Sequence, residues 1–219
     1  MNRMKLGQDR EQVKAIIVAA GSYVMWGILP IYWKLLQSVP AQEILAHRIV
    51  WSFIFLLILL TITGRLKEFA VEVYELAHQR WRMVGIISAA AILNLNWFTY
   101  IWAVNNNHVI QTSLGYYINP LVTVLLGIVV LKEKLSFWQF ISFLLAAIGV
   151  LILTFHYGTV PWVALSLAIT FGVYGLLKKV VNTGAVIGLT IETLLTTIVA
   201  VLYLSYIHNT GCGSFLTGS

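Results

Sequence analysis

Long apolar runs separated by short polar breaks fill most of the chain. They occupy 15–36, 43–63, 83–104, 109–131, 135–155, 160–177 and 184–207. Each is close to the ~20 residues that a helix needs to cross about 30 Å of hydrocarbon. The pattern therefore predicts seven membrane-spanning helices. Gly21, Gly27 and Pro30 interrupt the first run and Pro120 the fourth. Such residues are tolerated in membrane helices, where neighbours re-satisfy freed backbone groups, and Pro120 is expected to kink its helix. The exception is 64–82. There Leu66, Phe69, Ala70, Val73 and Ala77 recur at helical spacing opposite Lys67, Glu68, Glu72 and Glu75. That spacing predicts an amphipathic helix lying on the bilayer surface.

Composition agrees with the pattern. The chain of 219 residues is 59% hydrophobic and 10% charged, against about 25% charged in a soluble domain. The net charge of +6 does not call for nucleic acid, because the basic residues follow membrane topology. With the N-terminus on the cytoplasmic side, every Lys and Arg except Lys34 and Arg48 falls on inner segments, as the positive-inside bias requires. Cys212 is the sole cysteine, which leaves no disulfide framework and no cysteine-built metal site. The first run is too long for a signal-peptide core.

A shift of 145 residues lays the sixth span on the first: Val18-Ala19 meets Val163-Ala164, Trp26-Gly27 meets Phe171-Gly172, and Lys34 meets Lys179. Five spans per copy is an odd number, so the copies run in opposite directions, as in the inverted repeats of transporters. The expected organisation is an N-terminal cytoplasmic segment (1–14), a five-helix repeat (15–157) and a second repeat (158–219). That second repeat holds two of its five spans and a short outer tail, as in a truncated product. The fold class is all-α: a polytopic helical membrane protein of about seven transmembrane helices.

Ionisable and polar groups inside such spans are expensive and mark candidate sites. Glu43 and His47 share one face at the head of the second span, with Arg48 about 100° round. An imidazole changes charge near neutral pH, so His47 suits proton coupling. The competing expectation is that the trio snorkels to the headgroups. Glu192, the equivalent of His47 in the second copy, lies mid-span and would face the other repeat. Asn94, Asn96, Tyr116, Tyr117 and Asn119 are candidates for polar lining of a mostly apolar pocket, or for plain interhelical hydrogen bonds. Trp97, Phe98, Tyr100 and Trp102 read as an interfacial belt, and Lys132, Glu133, Lys134, Lys178 and Lys179 as solvated turns.

The run Glu43-Ile44-Leu45-Ala46-His47-Arg48-Ile49-Val50-Trp51-Ser52 resembles the RarD branch of the EamA-type drug/metabolite transporter superfamily. Tyr23-Val24-Met25-Trp26-Gly27, Leu93-Asn94-Leu95-Asn96-Trp97 and Ser113-Leu114-Gly115-Tyr116-Tyr117-Ile118-Asn119-Pro120 carry the same likeness, as do Glu133-Lys134-Leu135-Ser136, Gln139 and Gly149-Val150. Ser142 stands where a Gly is expected. The resemblance implies a ten-helix inner-membrane permease of two five-helix repeats, in a branch named for chloramphenicol-linked transport. The expected function is ion-coupled secondary transport of small organic solutes or drugs by alternating access; the alternative is a non-transporting remnant of such a permease. The expected partners are a small-molecule substrate and the lipid bilayer, with a homodimer as a further arrangement and no nucleic acid. No cofactor or metal is expected. With no His-Glu-x-x-His, aspartate cluster, nucleophile elbow or phosphate loop in the sequence, an enzyme is not expected either.

Overall fold

The computed structural model describes residues 2–36, 38–157, 161–211 and 213, with side chains for all of these but 2–11 and 157. The predicted start of the sixth span at 160, Cys212 and the tail from 214 lie outside the described residues. Among the described residues there are eight helices and no strand: α1 (Asn2–Leu35), α2 (Ala41–Ile62), α3 (Leu66–His78), α4 (Arg80–Asn105), α5 (Val109–Leu131), α6 (Phe137–Tyr157), α7 (Trp162–Val181) and α8 (Ala185–Asn209). All but α3 are long and apolar enough to cross a membrane. The chain divides into two compact units, residues 1–38 and 39–219.

In the first unit, α1 runs back through the segment expected to precede the first span, so the polar residues from Asn2 onward are helical. Lys, Arg, Gln and Glu are good helix formers, and no proline interrupts them there. Pro30 is accommodated without ending the helix.

Small residues build the second unit. α5 and α7 run parallel, and the Cβ that Gly115 lacks would sit 3.2 Å from the Ala164 carbonyl oxygen. Further along, a Cβ at Gly172 would meet Val122 and Leu126 at 3.0 Å. Leu114, Ile118, Ala164 and Ala168 fill the rest of this contact. Close backbone approach over small residues is how helices associate in lipid, where no hydrophobic drive separates helix from solvent. α4 lies antiparallel to α7: Asn96 bonds near Leu167 and Arg82 near Val181. α2 and α8 are also antiparallel, with Ala46 and Ile49 on Ala200 toward one end and Leu60 on Ile187 and Ile191 toward the other. Large apolar side chains such as Phe55, Ile58, Val129 and Leu202 remain exposed, as lipid-facing surfaces require.

The amphipathic helix forms as predicted but docks onto the bundle. Phe69, Val73 and Leu76 of α3 pack on Leu60, Ile86, Val181, Ile187 and Ile191. Leu66, Ala70 and Tyr74 stay exposed beside this covered face. Arg82 pins the arrangement, its guanidinium donating to Glu72 of α3 and, at 3.1 Å, to the Val181 carbonyl at the end of α7. That carbonyl is one of the last-turn acceptors that have no partner within the helix, so a cation is favoured there.

Candidate functional site

Arg48 lies seven residues into α2, about 10 Å along the axis. Its guanidinium carbon sits 4.0 Å from the centroid of the Trp97 ring on α4. Trp97 is eight residues from the end of α4 at Asn105, about 12 Å in. A snorkelling arginine would carry its head to the rim; this one carries it onto an indole at the same depth. Trp97 therefore departs from the belt reading, and the belt role falls instead to Trp102, which stacks on His108 and meets Trp162. Tyr100 and Tyr116 complete the group. Their rings meet edge-on at 6.1 Å, and both phenols lie within the electrostatic reach of Arg48. Tyr100 is buried, while Tyr116 is 43% exposed. A planar, permanently charged guanidinium resting on an indole face keeps its fork of N–H donors in a fixed plane.

Glu43 and His47 stand one turn apart on the same helix. Glu43 is 2% exposed, and its Oε1 would lie 3.9 Å from a Cβ added at Gly213; His47 is half-buried. Asn96 is engaged elsewhere, its amide nitrogen donating to the Leu167 carbonyl at 2.9 Å and to Thr170 Oγ1 at 2.8 Å. It is a rivet between α4 and α7, the plain interhelical role. Asn94 donates to Ala90 within its own helix, and its Oδ1, like that of Asn119, is buried with no hydrogen-bond partner among the described residues. Tyr117 lines a mostly apolar groove of about 400 Å³ between α5 and α6, with Ile110, Leu153 and His156.

Glu192, 1% exposed, has two donors. Lys178 Nζ reaches Oε1 at 2.8 Å and the Tyr174 hydroxyl reaches Oε2 at 3.0 Å. Both donors come from α7, within the same pair of spans, and not from an opposing repeat. Lys178 is 18% exposed and so departs from the solvated-turn reading. Its neighbour Lys179 keeps that reading as an exposed partner of Glu133. No cluster of three or more His, Cys, Asp or Glu suited to a metal ion occurs among the described residues. Sequence reasoning read Lys178 as a solvated turn and passed over Tyr174 and Gln111. The last closes the start of α7, its Oε1 accepting from the Val163 N–H at 3.3 Å. The spacing of Tyr174 and Lys178, one turn apart beside a mid-span glutamate in the next helix, was the available signal.

The EamA-like transporter family model matches residues 13–155. The chain is 48% identical over 202 residues to an uncharacterized transporter, YojE, of Bacillus subtilis, covering 91% of this chain and 66% of that protein. Protein RarD of Escherichia coli is 39% identical over 197 residues, 90% of this chain and 65% of its own length. More distantly, a chloramphenicol-sensitive protein RarD of Pseudomonas aeruginosa is 29% identical over 181 residues, 83% of this chain and 60% of that protein. The chain thus spans a little under two thirds of the length of the relatives it matches. No solved structure matches it. Seven apolar helices, a family model over most of the chain and relatives aligned along nearly all of it lead to one conclusion: the chain belongs to the EamA-like transporter family, a family of membrane transporters rather than enzymes.

Proposed function

We propose that the protein is an ion-coupled secondary permease moving small organic solutes across the bacterial plasma membrane by alternating access, with its N-terminus on the cytoplasmic side. The observation that carries this reading is the Arg48 guanidinium held on Trp97 beside Tyr100 and Tyr116, about 10 Å inside apolar helices. An ionised group is costly at that depth unless it serves a path or a ligand. Few polar groups set among aromatic and aliphatic walls are the usual composition of a small-molecule site. The antiparallel pairing of α2 with α8 supports an inverted repeat, since a two-fold axis in the membrane plane would relate those helices. The gathering of Arg65, Arg80, Arg82, Lys132, Lys134, Lys178 and Lys179 at one end of the bundle supports the orientation.

The name of the Pseudomonas relative makes chloramphenicol the first probe. In proteoliposomes holding the full chain, radiolabelled chloramphenicol should exchange across the membrane. Arg48→Ala should reduce that exchange at least tenfold while the protein still inserts. Equal exchange by Arg48→Ala and the unaltered chain would remove the site assignment. No exchange by the unaltered chain would favour a chain that keeps the fold without transporting.

A further inference from the structure

α7 and α8 follow one another in sequence and share α4 as a neighbour, but each also packs on a helix the other does not touch closely. α7 lies along α4 and α5, while α8 lies mainly along α2 and, to a lesser extent, α4. Side chains bridge them: Tyr174 and Lys178 from α7 converge on Glu192 of α8. Glu192 is seven residues into α8, about 10 Å from its start. Lys178 lies in the last turn of α7, so its stem runs from the bundle end to the buried carboxylate. Thr183 Oγ1 accepts from the same ammonium at 3.3 Å. Gly188 makes room for it, because a Cβ there would collide with both Lys178 Nζ and Thr183 Oγ1. This is a built seat for an ammonium over a buried carboxylate. Besides Lys178, the titratable group that faces it is the Tyr174 phenol, which donates to Glu192 Oε2. α2 carries no ionisable residue from Ser52 to Ile62, and α4 none from Met83 to Asn94. The carboxylates of α3 that approach, Glu72 and Glu75, are engaged by Arg82 of α4 at the rim.

We propose that Glu192 is the proton-coupling site of the permease and that Lys178 is the group that empties it. The proposal rests on the reading of the chain as an ion-coupled permease. With α7 against α8, the ammonium neutralises the carboxylate. When α7 moves off α8, Glu192 loses its cation inside an apolar bundle, and a carboxylate there is too costly to remain charged, so it takes a proton from water on the outer side. On return, the approaching ammonium favours the ionised form. The O–H bond of the acid breaks, the proton forms a new O–H bond to water at the partly exposed Lys178 end of α7, and the ion pair re-forms. Lys178 keeps its own charge throughout, so each cycle moves one proton.

Two measurements on the full chain test this. In lipid nanodiscs at neutral pH, the infrared difference between Lys178→Met and the unaltered protein should show the carbonyl stretch of a protonated carboxylic acid. The double variant Lys178→Met, Glu192→Gln should lack it. If Lys178→Met shows no such band, the proposal is overturned. In proteoliposomes, a gradient of one pH unit should raise chloramphenicol accumulation by up to about tenfold for one proton exchanged. That ratio should fall to one in Glu192→Gln, whose amide preserves the shape of the site and the Tyr174 contact, and should persist in Lys178→Arg. An unchanged ratio in Glu192→Gln overturns the coupling site and leaves the permease reading standing. No flux from the unaltered chain overturns the permease reading and the coupling role with it.

Discussion

Trp97 holds Arg48 below the rim of the bundle, so the indole and the guanidinium should act as a unit. Trp97→Ala removes a desolvated cation–π contact of about 1–2 kcal/mol. It should weaken chloramphenicol exchange by roughly 5- to 30-fold, read as a rise in the concentration giving half-maximal rate. Trp97→Phe, which keeps an aromatic face, should lose much less; equal losses in the two variants would exclude the stack as the cause. Asn96 gives the opposite case. Its amide is spent on α7, so Asn96→Leu should lower unfolding stability by about 0.6–1.7 kcal/mol and leave solute affinity unchanged. Both residues stood within one run, Leu93-Asn94-Leu95-Asn96-Trp97, and residue type marked both as noteworthy. Which one touches the site and which one rivets helices depends on the face each presents to α2 or α7, and no single-helix pattern fixes that.

At the scale of elements, spans are read from apolar length, and the helices match the predicted spans to within a few residues at most ends. The hydrogen-bonding demand of lipid allows little else, because each backbone group must find its partner within its own segment. What length does not give is which helices touch. The α5–α7 contact depends on Gly115 and Gly172. Gly115→Leu should force the backbones apart and cost about 1–3 kcal/mol or more by overpacking, seen as lost disulfide trapping between cysteines introduced at Ile118 and Ala168. Trapping as efficient as in the Gly115 background would show that the helices do not need this approach. α3 depends on Leu76, fully enclosed among residues of α2, α4, α7 and α8. Leu76→Ala should cost about 2–5 kcal/mol and speed amide exchange across Leu66–His78 specifically. A helix resting only on lipid would show no such local change.

For the whole molecule, the orientation is open to direct test. In a Cys212→Ser background, a cysteine at Asn106 should react with an impermeant maleimide from outside intact cells. One at Lys132 should react only after permeabilisation. The reverse result would invert the molecule and place Lys178 at the outer end. A seven-span helical membrane protein of a transporter family is legible from the residues alone. Apolar length, the bias of Lys and Arg and the runs around His47, Asn96 and Tyr116 are local properties, and lipid leaves a chain of that pattern few alternatives. The sequence also marked Arg48 and Glu192 as costly groups needing a purpose. Their partners depend on how the helices pack. Arg48 has Trp97 because α2 lies against α4, and Glu192 has Lys178 because Gly188 lets a long stem fold back over the next helix. Both pairs are set by which helix faces meet, and by a missing side chain at one position, whereas charge counting sees only that a lysine lies near a helix end.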